Sequence, residues 1–179
     1  MTEPLRIEKA QPSDLLTLYS ICRQSYSENF SNHWNEGGLE WYLEKTYGKR
    51  IIEFELSGTT VNYYIAFLND EPVGFMKLDL CSNVPGQVPE EGMEISKLYF
   101  LPIHQGKGIG KKLISIAFEL AKKLKKKTVW LGVIDTNDSA IQFYTRMGFH
   151  LQEKTRLDIP YFKEELKGMW RMALDVGTL

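Results

Sequence analysis

The chain is 179 residues long, 43% hydrophobic and 25% charged, a range that suits one domain over 1–179 with enough apolar material for a core. No apolar run approaches the ~20 residues that span a bilayer, and the N-terminal "MTEPLRIEKA" lacks the basic-then-apolar profile of a signal peptide, so a cytoplasmic protein off the membrane is expected. The formal net charge of −1 conceals a division, since residues 1–100 carry 15 acidic and 8 basic side chains while residues 101–179 carry 8 and 14, which suits an anion in the later half and a cation near the earlier one.

Along the chain, "LRIEKA" alternates Leu5 and Ile7 with polar neighbours and predicts a first strand. Pro12, Ser13 and Asp14 then open a helix whose Leu15, Leu18, Tyr19 and Cys22 recur at helical spacing. Residues 36–56, rich in aromatics and glutamates, predict one or two further helices. Two β-rich runs, Thr60 to Leu68 and Val73 to Leu80, flank the turn-forming "NDEP" and predict an antiparallel hairpin. "CSNVPGQVPEEG" predicts a loop, and "MEISKLYFL" a strand ending at Pro102. From Gly110, Leu113, Ala117, Leu120, Ala121 and Leu124 recur at three- and four-residue spacing, which predicts a helix to about Lys125. "TVWLGVI" reads as a continuous apolar strand, "DTNDSAIQFYTRMGF" as a short capped helix ended by Gly148, and "MWRMAL" as a last strand. Cys22 and Cys81 lie far apart without metal-ligand spacing, so two reduced, mostly buried thiols are expected, with no disulfide and no metal. Strand, loop, helix, strand and helix in the second half, with hairpin strands in the first, predict an α/β architecture: a mixed sheet with helices on both faces.

The stretch "HQGKGIGKKL" sits between a predicted strand and a predicted helix. Glycines at 106, 108 and 110 let the chain turn tightly and bring the unpartnered first N–H groups of the helix close to a bulky anion such as a diphosphate. Lys107, Lys111 and Lys112 add positive charge there. The stretch does not fit GxxxxGK[ST], because Lys111 is followed by Lys112. It does not fit GxGxxG either, because the glycines are spaced GxGxG. The remaining pattern, QxxGxG as Gln105, Gly108 and Gly110, resembles the pyrophosphate loop of the GCN5-related N-acetyltransferases (GNAT), which bind acetyl-coenzyme A. "LYFLPIHQGKGIGKKLI" and "WLGVIDTNDSAIQFYTRMGF" resemble that family's successive motifs, together covering roughly Met93 to Phe149.

The resemblance implies a splayed strand pair in which the cofactor inserts like an extra strand, with acetyl-coenzyme A as cosubstrate. It implicates Leu98, Tyr99 and Phe100 in backbone contact to pantetheine and the thioester oxygen. Gln105, Gly106, Lys107, Gly108, Ile109, Gly110 and Lys111 would receive the diphosphate. Asn137 matches the family's cofactor-contacting asparagine and also suits a helix cap. Tyr144 matches the tyrosine that protonates the departing thiolate in many members, a role its ordinary pKa near ~10 permits. Phe143 is read as structural. Relatives that acetylate protein N-termini carry a glutamate base where this chain has Gly132, so Glu94, on the strand before the loop, is the substitute base. His33 and His104 are weaker candidates. The lysine run "KKLKKK" complements a helix C-terminus, so nucleic acid is not an expected partner.

For the acceptor, Gly132 and the aromatic, acidic N-terminal helices resemble the PaiA-type spermidine/spermine N-acetyltransferases. This implies direct acetyl transfer to a primary amine, a polyamine first. Glu28, Glu36, Glu40 and Glu44, with Trp34, Trp41 and Tyr42, would line an acidic groove through ion pairing and cation–π contact. Acetylation of a protein N-terminus or lysine is an alternative, as is a non-catalytic protein that binds acetyl-coenzyme A and regulates a partner. A monomer or a homodimer fits all three.

Overall fold

The computed structural model describes residues 5–82, 84 and 91–179. One seven-stranded sheet organises it: β1 (Leu5–Lys9), β2 (Val61–Leu68), β3 (Glu71–Asp79), β4 (Gly92–Phe100), β5 (Thr128–Ile134), β6 (His150–Arg156) and β7 (Gly168–Asp175), in the order β1-β2-β3-β4-β5-β7-β6. All neighbours are antiparallel except β4 and β5. That pair is parallel and joined by α4 (Ile109–Lys123), the crossover a parallel connection requires.

Helices cover both faces, each over its own core. α1 (Leu15–Phe30) turns Leu18, Ile21, Cys22, Ser25 and Tyr26 inward at three- and four-residue spacing. With α2 (Gly38–Tyr47) and α3 (Lys49–Ser57) it buries an aromatic core containing Tyr26, Trp34, Tyr42, Tyr47, Phe75 and Phe162. On the other face α4 buries Ile109, Leu113, Ile114, Ala117 and Ala121 against Met76, Leu78, Val129 and Leu131. α5 (Asp138–Arg146) adds Ala140, Ile141, Phe143 and Tyr144 to the edge of that core.

The predicted hairpin forms through Asn69 and Asp70, both at positive φ (49° and 64°), the two-residue geometry that matches strand twist. β6 is a strand the sequence reading did not anticipate: "HLQEKTR" lies at the sheet edge and is exposed over most of its length, so it carries no apolar alternation. The predicted loop over 81–92 falls mostly outside the described residues. Both cysteines are free thiols, but only Cys22 is buried. Cys81 is exposed, because it follows the end of β3 and points into no core.

Two irregularities of the sheet build the site. The first is the separation of β4 from β5: their pairing is confined to Gly92↔Thr128, Met93↔Val129 and Glu94↔Trp130, although both strands continue. Beyond Glu94 the backbone groups on that side of β4 have no strand partner among the described residues. The second is a bulge in β4. Lys97 pairs with Lys77 and Ile95 with Leu78, which leaves Ser96 as an extra residue. Side chains alternate faces along a strand, so one inserted residue exchanges the faces. Accordingly Met93 and Ile95 join the α4 core before the bulge, and Leu98 and Phe100 after it. Glu94, Lys97 and Tyr99 are thereby directed together toward α1 and α2.

Candidate functional site

The parted strands open a cleft of about 720 Å³. Its walls come from β4, the loop before α4, the inner end of β5, the first turns of α5, and α1 with the β6–β7 connection.

At one end stands the glycine loop. Gly106 and Gly108 have φ of 77° and 76°, and a Cβ at either would meet nothing within 4 Å, so backbone conformation rather than space requires glycine there. The first intrahelical bond after the loop runs from the Lys112 N–H to the Gly108 carbonyl at 3.2 Å. The N–H groups of Ile109, Gly110 and Lys111 therefore precede the hydrogen-bonded ladder, at the positive end of the α4 dipole. Gly110 is different: a Cβ there would approach Phe143 Cζ at 3.1 Å and Phe100 Cε1 at 3.5 Å, so its absence lets α4 close on the cleft wall. Gln105, Gly106, Gly108, Ile109, Gly110 and Lys111 all border the cleft, whereas Lys107 does not. Lys107 Nζ lies 3.2 Å from His104 Nδ1, and His104 itself borders the cleft.

Midway, Leu98, Tyr99 and Phe100 border the cleft on the stretch of β4 that lacks a strand partner. The Asn29 amide donates to the Phe100 carbonyl at 3.0 Å and to the Ser25 carbonyl at 2.8 Å, tying α1 to this strand. Asn137 caps α5, its Oδ1 accepting from the Ala140 N–H at 3.2 Å and the Ser139 hydroxyl at 3.1 Å. Since Oδ1 is committed to the cap, any contact from Asn137 to a ligand falls to Nδ2. Tyr144 borders the cleft with its ring against Phe143 and Phe149, centroids 5.2 and 5.9 Å away. Burial pushes its hydroxyl well above the ordinary tyrosine pKa, so it carries its proton at neutral pH.

Glu94 borders the cleft where the strands part. Its Oε2 accepts from the Ser82 hydroxyl at 2.8 Å, and the Trp130 indole N–H donates to the Ser82 carbonyl at 2.9 Å. Burial raises the Glu94 pKa, with Asp79 adding to the rise and the Ser82 hydrogen bond and Lys97 opposing it. Gly132 borders the same space, and a Cβ there would collide with Met169 Cε, so Met169 occupies the volume a side chain would take.

The far end is an aromatic and aliphatic chamber that sequence reasoning missed. Tyr26 and Phe30 enter it from α1, and Leu157, Ile159 and Phe162 from the β6–β7 connection. That connection is clamped to the segment after α1. The Asn35 N–H donates to the Tyr161 carbonyl at 2.8 Å, the Lys163 N–H to the His33 carbonyl at 2.9 Å, and Trp34 bridges to Phe162. His33 stacks edge-on against Phe30 at 5.2 Å, and burial, with Lys163 nearby, lowers its pKa. Lys97 and Ser96 border the chamber from the bulge. Their signal was present in "MEISKLYF": the apolar positions 93 and 95 give way to 98 and 100, a slip of one in the alternation.

The acidic groove expected from the sequence is not assembled. α2 turns Tyr42, Leu43 and Tyr47 inward, which leaves Glu40 and Glu44 on the outer face, where they meet Arg23 at 2.5 and 3.4 Å. Glu28 and Glu36 are exposed outside the cleft. Trp34 is buried against Tyr42 and Phe162, and Trp41 lies under Lys45 Nζ at 4.7 Å. Of that set, Tyr42 alone borders the cleft.

A parallel pair that parts around a cleft, followed by a left-handed glycine loop opening a helix, agrees with the comparison with known proteins. The acetyltransferase (GNAT) family model matches residues 17–149. The chain is 27% identical over 144 residues to an uncharacterized N-acetyltransferase encoded in the pepI 3′ region of Lactobacillus delbrueckii subsp. lactis, covering 80% of this chain and 83% of that one. It is 30% identical over 142 residues to an uncharacterized N-acetyltransferase of Archaeoglobus fulgidus, covering 78% and 89%. Among solved structures, the PaiA N-acetyltransferase of Thermoplasma acidophilum in complex with coenzyme A superposes with a TM-score of 0.77 over 96% of this chain and 99% of that one, at 22% identity. The chain belongs to the acetyltransferase (GNAT) family, and is thus an acyltransferase with acetyl-coenzyme A as its cosubstrate. The glycine cradle and the unpaired edge of β4 fit that cosubstrate: one offers N–H donors to a diphosphate, the other backbone groups to an extended amide-bearing arm.

Proposed function

We propose that this protein transfers the acetyl group directly to a small primary amine, with Glu94 as base and Tyr144 as acid. The observation that carries the reading is the shared cleft: a carboxylate with a raised pKa stands where β4 and β5 part, and a phenol that keeps its proton borders the same space from α5. Glu94 takes a proton from the acceptor ammonium, directly or through a water. The freed nitrogen attacks the thioester carbon, and the C–N bond forms as the C–S bond breaks. N–H groups of the open stretch around Leu98 support the negative charge that develops on oxygen. Tyr144 gives its proton to the departing sulfur. The nitrogen sheds two protons in all, one through Glu94 and one that balances the proton Tyr144 supplies.

Gly106, Gly108, Ile109, Gly110 and Lys111 hold the diphosphate in this reading, and Asn137 Nδ2 the pantetheine arm, while Lys107, outside the cleft, is left out of the cradle. The polyamine acceptor draws its support from the acidic excess of residues 1–100. Its glutamates stand outside the cleft, however, and the inner chamber is lined by aromatic rings, which supports an acceptor that enters by one short arm.

The test is free-thiol release from acetyl-coenzyme A by the purified protein with spermidine, spermine, small monoamines and peptides bearing free N-termini. Turnover of small amines above peptides is expected. A preference for peptides would move the assignment to protein acetylation, and tight cosubstrate binding with no turnover would favour a sensing role.

A further inference from the structure

The chamber beyond Glu94 contains a cation that the transfer chemistry does not use. Lys97 reaches it because the bulge at Ser96 puts Glu94 and Lys97 on one face of β4, three residues and so no more than about 10 Å apart along the strand. The cross-strand neighbours sort the charges: Glu94 pairs with Asp79, and Lys97 with Lys77. Lys77 is already neutralised, its Nζ 2.5 Å from Glu55, which also accepts from the Tyr63 hydroxyl. Lys97 has no carboxylate within ion-pair distance among the described residues and shares the cleft wall with Tyr26, Tyr42 and Phe162. Burial works to strip its proton, yet Tyr42, then Glu94 and Asp79, outweigh burial and hold the ammonium above the usual lysine range. With no carboxylate in contact, the ammonium can donate to an anion that docks in the chamber, a charge-assisted bond stronger than a neutral one.

We propose that Lys97 binds an anionic group of the acceptor, so that the preferred substrate is an amine that also carries a carboxylate, its ammonium toward Glu94 and its carboxylate toward Lys97. The two ends of the chamber then complement the two charges of one small molecule. A polyamine would instead place a second cation against Lys97. This proposal rests on the transferase reading and sharpens its acceptor.

The experiment compares chain-length-matched acceptors: ω-amino carboxylates from glycine to 5-aminovalerate, the alkylamines of equal length, and the corresponding diamines. For each, kcat and KM are measured by acetylated product in the wild type, in Lys97→Met and in Lys97→Arg. In the wild type at least one amino carboxylate is expected to exceed its matched alkylamine in kcat/KM by about tenfold or more, through KM, with the diamine below both. Lys97→Met brings that ratio to about one, and Lys97→Arg preserves most of it, which also answers a Met variant that does not fold. Preference for diamines or alkylamines in the wild type, or a ratio unchanged in Lys97→Met, overturns the proposal while leaving the transferase reading intact. No turnover of any amine overturns both.

Discussion

Glu94 and the ionic group behind it show how single side chains set this site. A raised carboxyl pKa means that the base form is gained at a higher pH than for an ordinary glutamate. The rate should therefore rise with pH through that elevated pKa, and kcat/KM of the wild type should show an acidic limb above the usual carboxylate range. Glu94→Gln should lower kcat by about 100-fold or more and abolish that limb, which steady-state rates across pH would check. Behind the site, Glu55 holds Lys77 at 2.5 Å and accepts from Tyr63. Lys77 and Glu55 have side chains only 13% and 16% exposed, so removing one partner strands the other's charge. Lys77→Met should cost about 3–5 kcal/mol in urea unfolding, whereas the double replacement with Glu55→Gln should recover much of the loss.

At the scale of elements, the glycine loop and the β4 bulge divide the work. Gly106 and Gly108 stand at positive φ with open space around them, so Gly108→Ala is expected to strain the start of α4 and disturb the orientation of its first N–H groups. The cost should be about 1–2 kcal/mol in stability, with a several-fold rise in KM for acetyl-coenzyme A, measurable by denaturation and initial rates. Such local devices were legible in the sequence because glycine, proline and asparagine act on the backbone where they stand. Gly106, Gly108, Pro102 and Asn137 each sit where the sequence placed a turn, stop or cap. The bulge was less legible. Its only trace is a one-residue slip of apolar alternation in a strand read as regular, yet it decides that Lys97 faces the chamber with Glu94.

For the molecule as a whole, the sheet separates two cores and two charge regimes. The glycine-loop end belongs to the basic half, with Lys111 at the cleft and Lys112 beside it. Affinity for the polyanionic cosubstrate should accordingly weaken with ionic strength, and KM for acetyl-coenzyme A should rise severalfold between low salt and 0.5 M salt. The aromatic chamber was the part least legible in the sequence. It is assembled from α1, α2 and the β6–β7 connection, the last of which is distant in sequence and is brought in by the Trp34–Phe162 bridge, its flanking hydrogen bonds and the Trp41–Tyr161 ring contact. The glutamates of α2 looked available because sequence gives helix periodicity but not which surface the polar face meets, and here Arg23 meets it.

The central claim is that acetyl transfer occurs in the cleft between β4 and β5 with Tyr144 as the proton donor. The most direct measurement is the rate of acetylated amine formation by wild type and Tyr144→Phe, alongside the dissociation constant of acetyl-coenzyme A for each. A fall in kcat of about 100-fold or more is expected for Tyr144→Phe, with cosubstrate affinity changed less than threefold. Equal rates in the two proteins would contradict the claim.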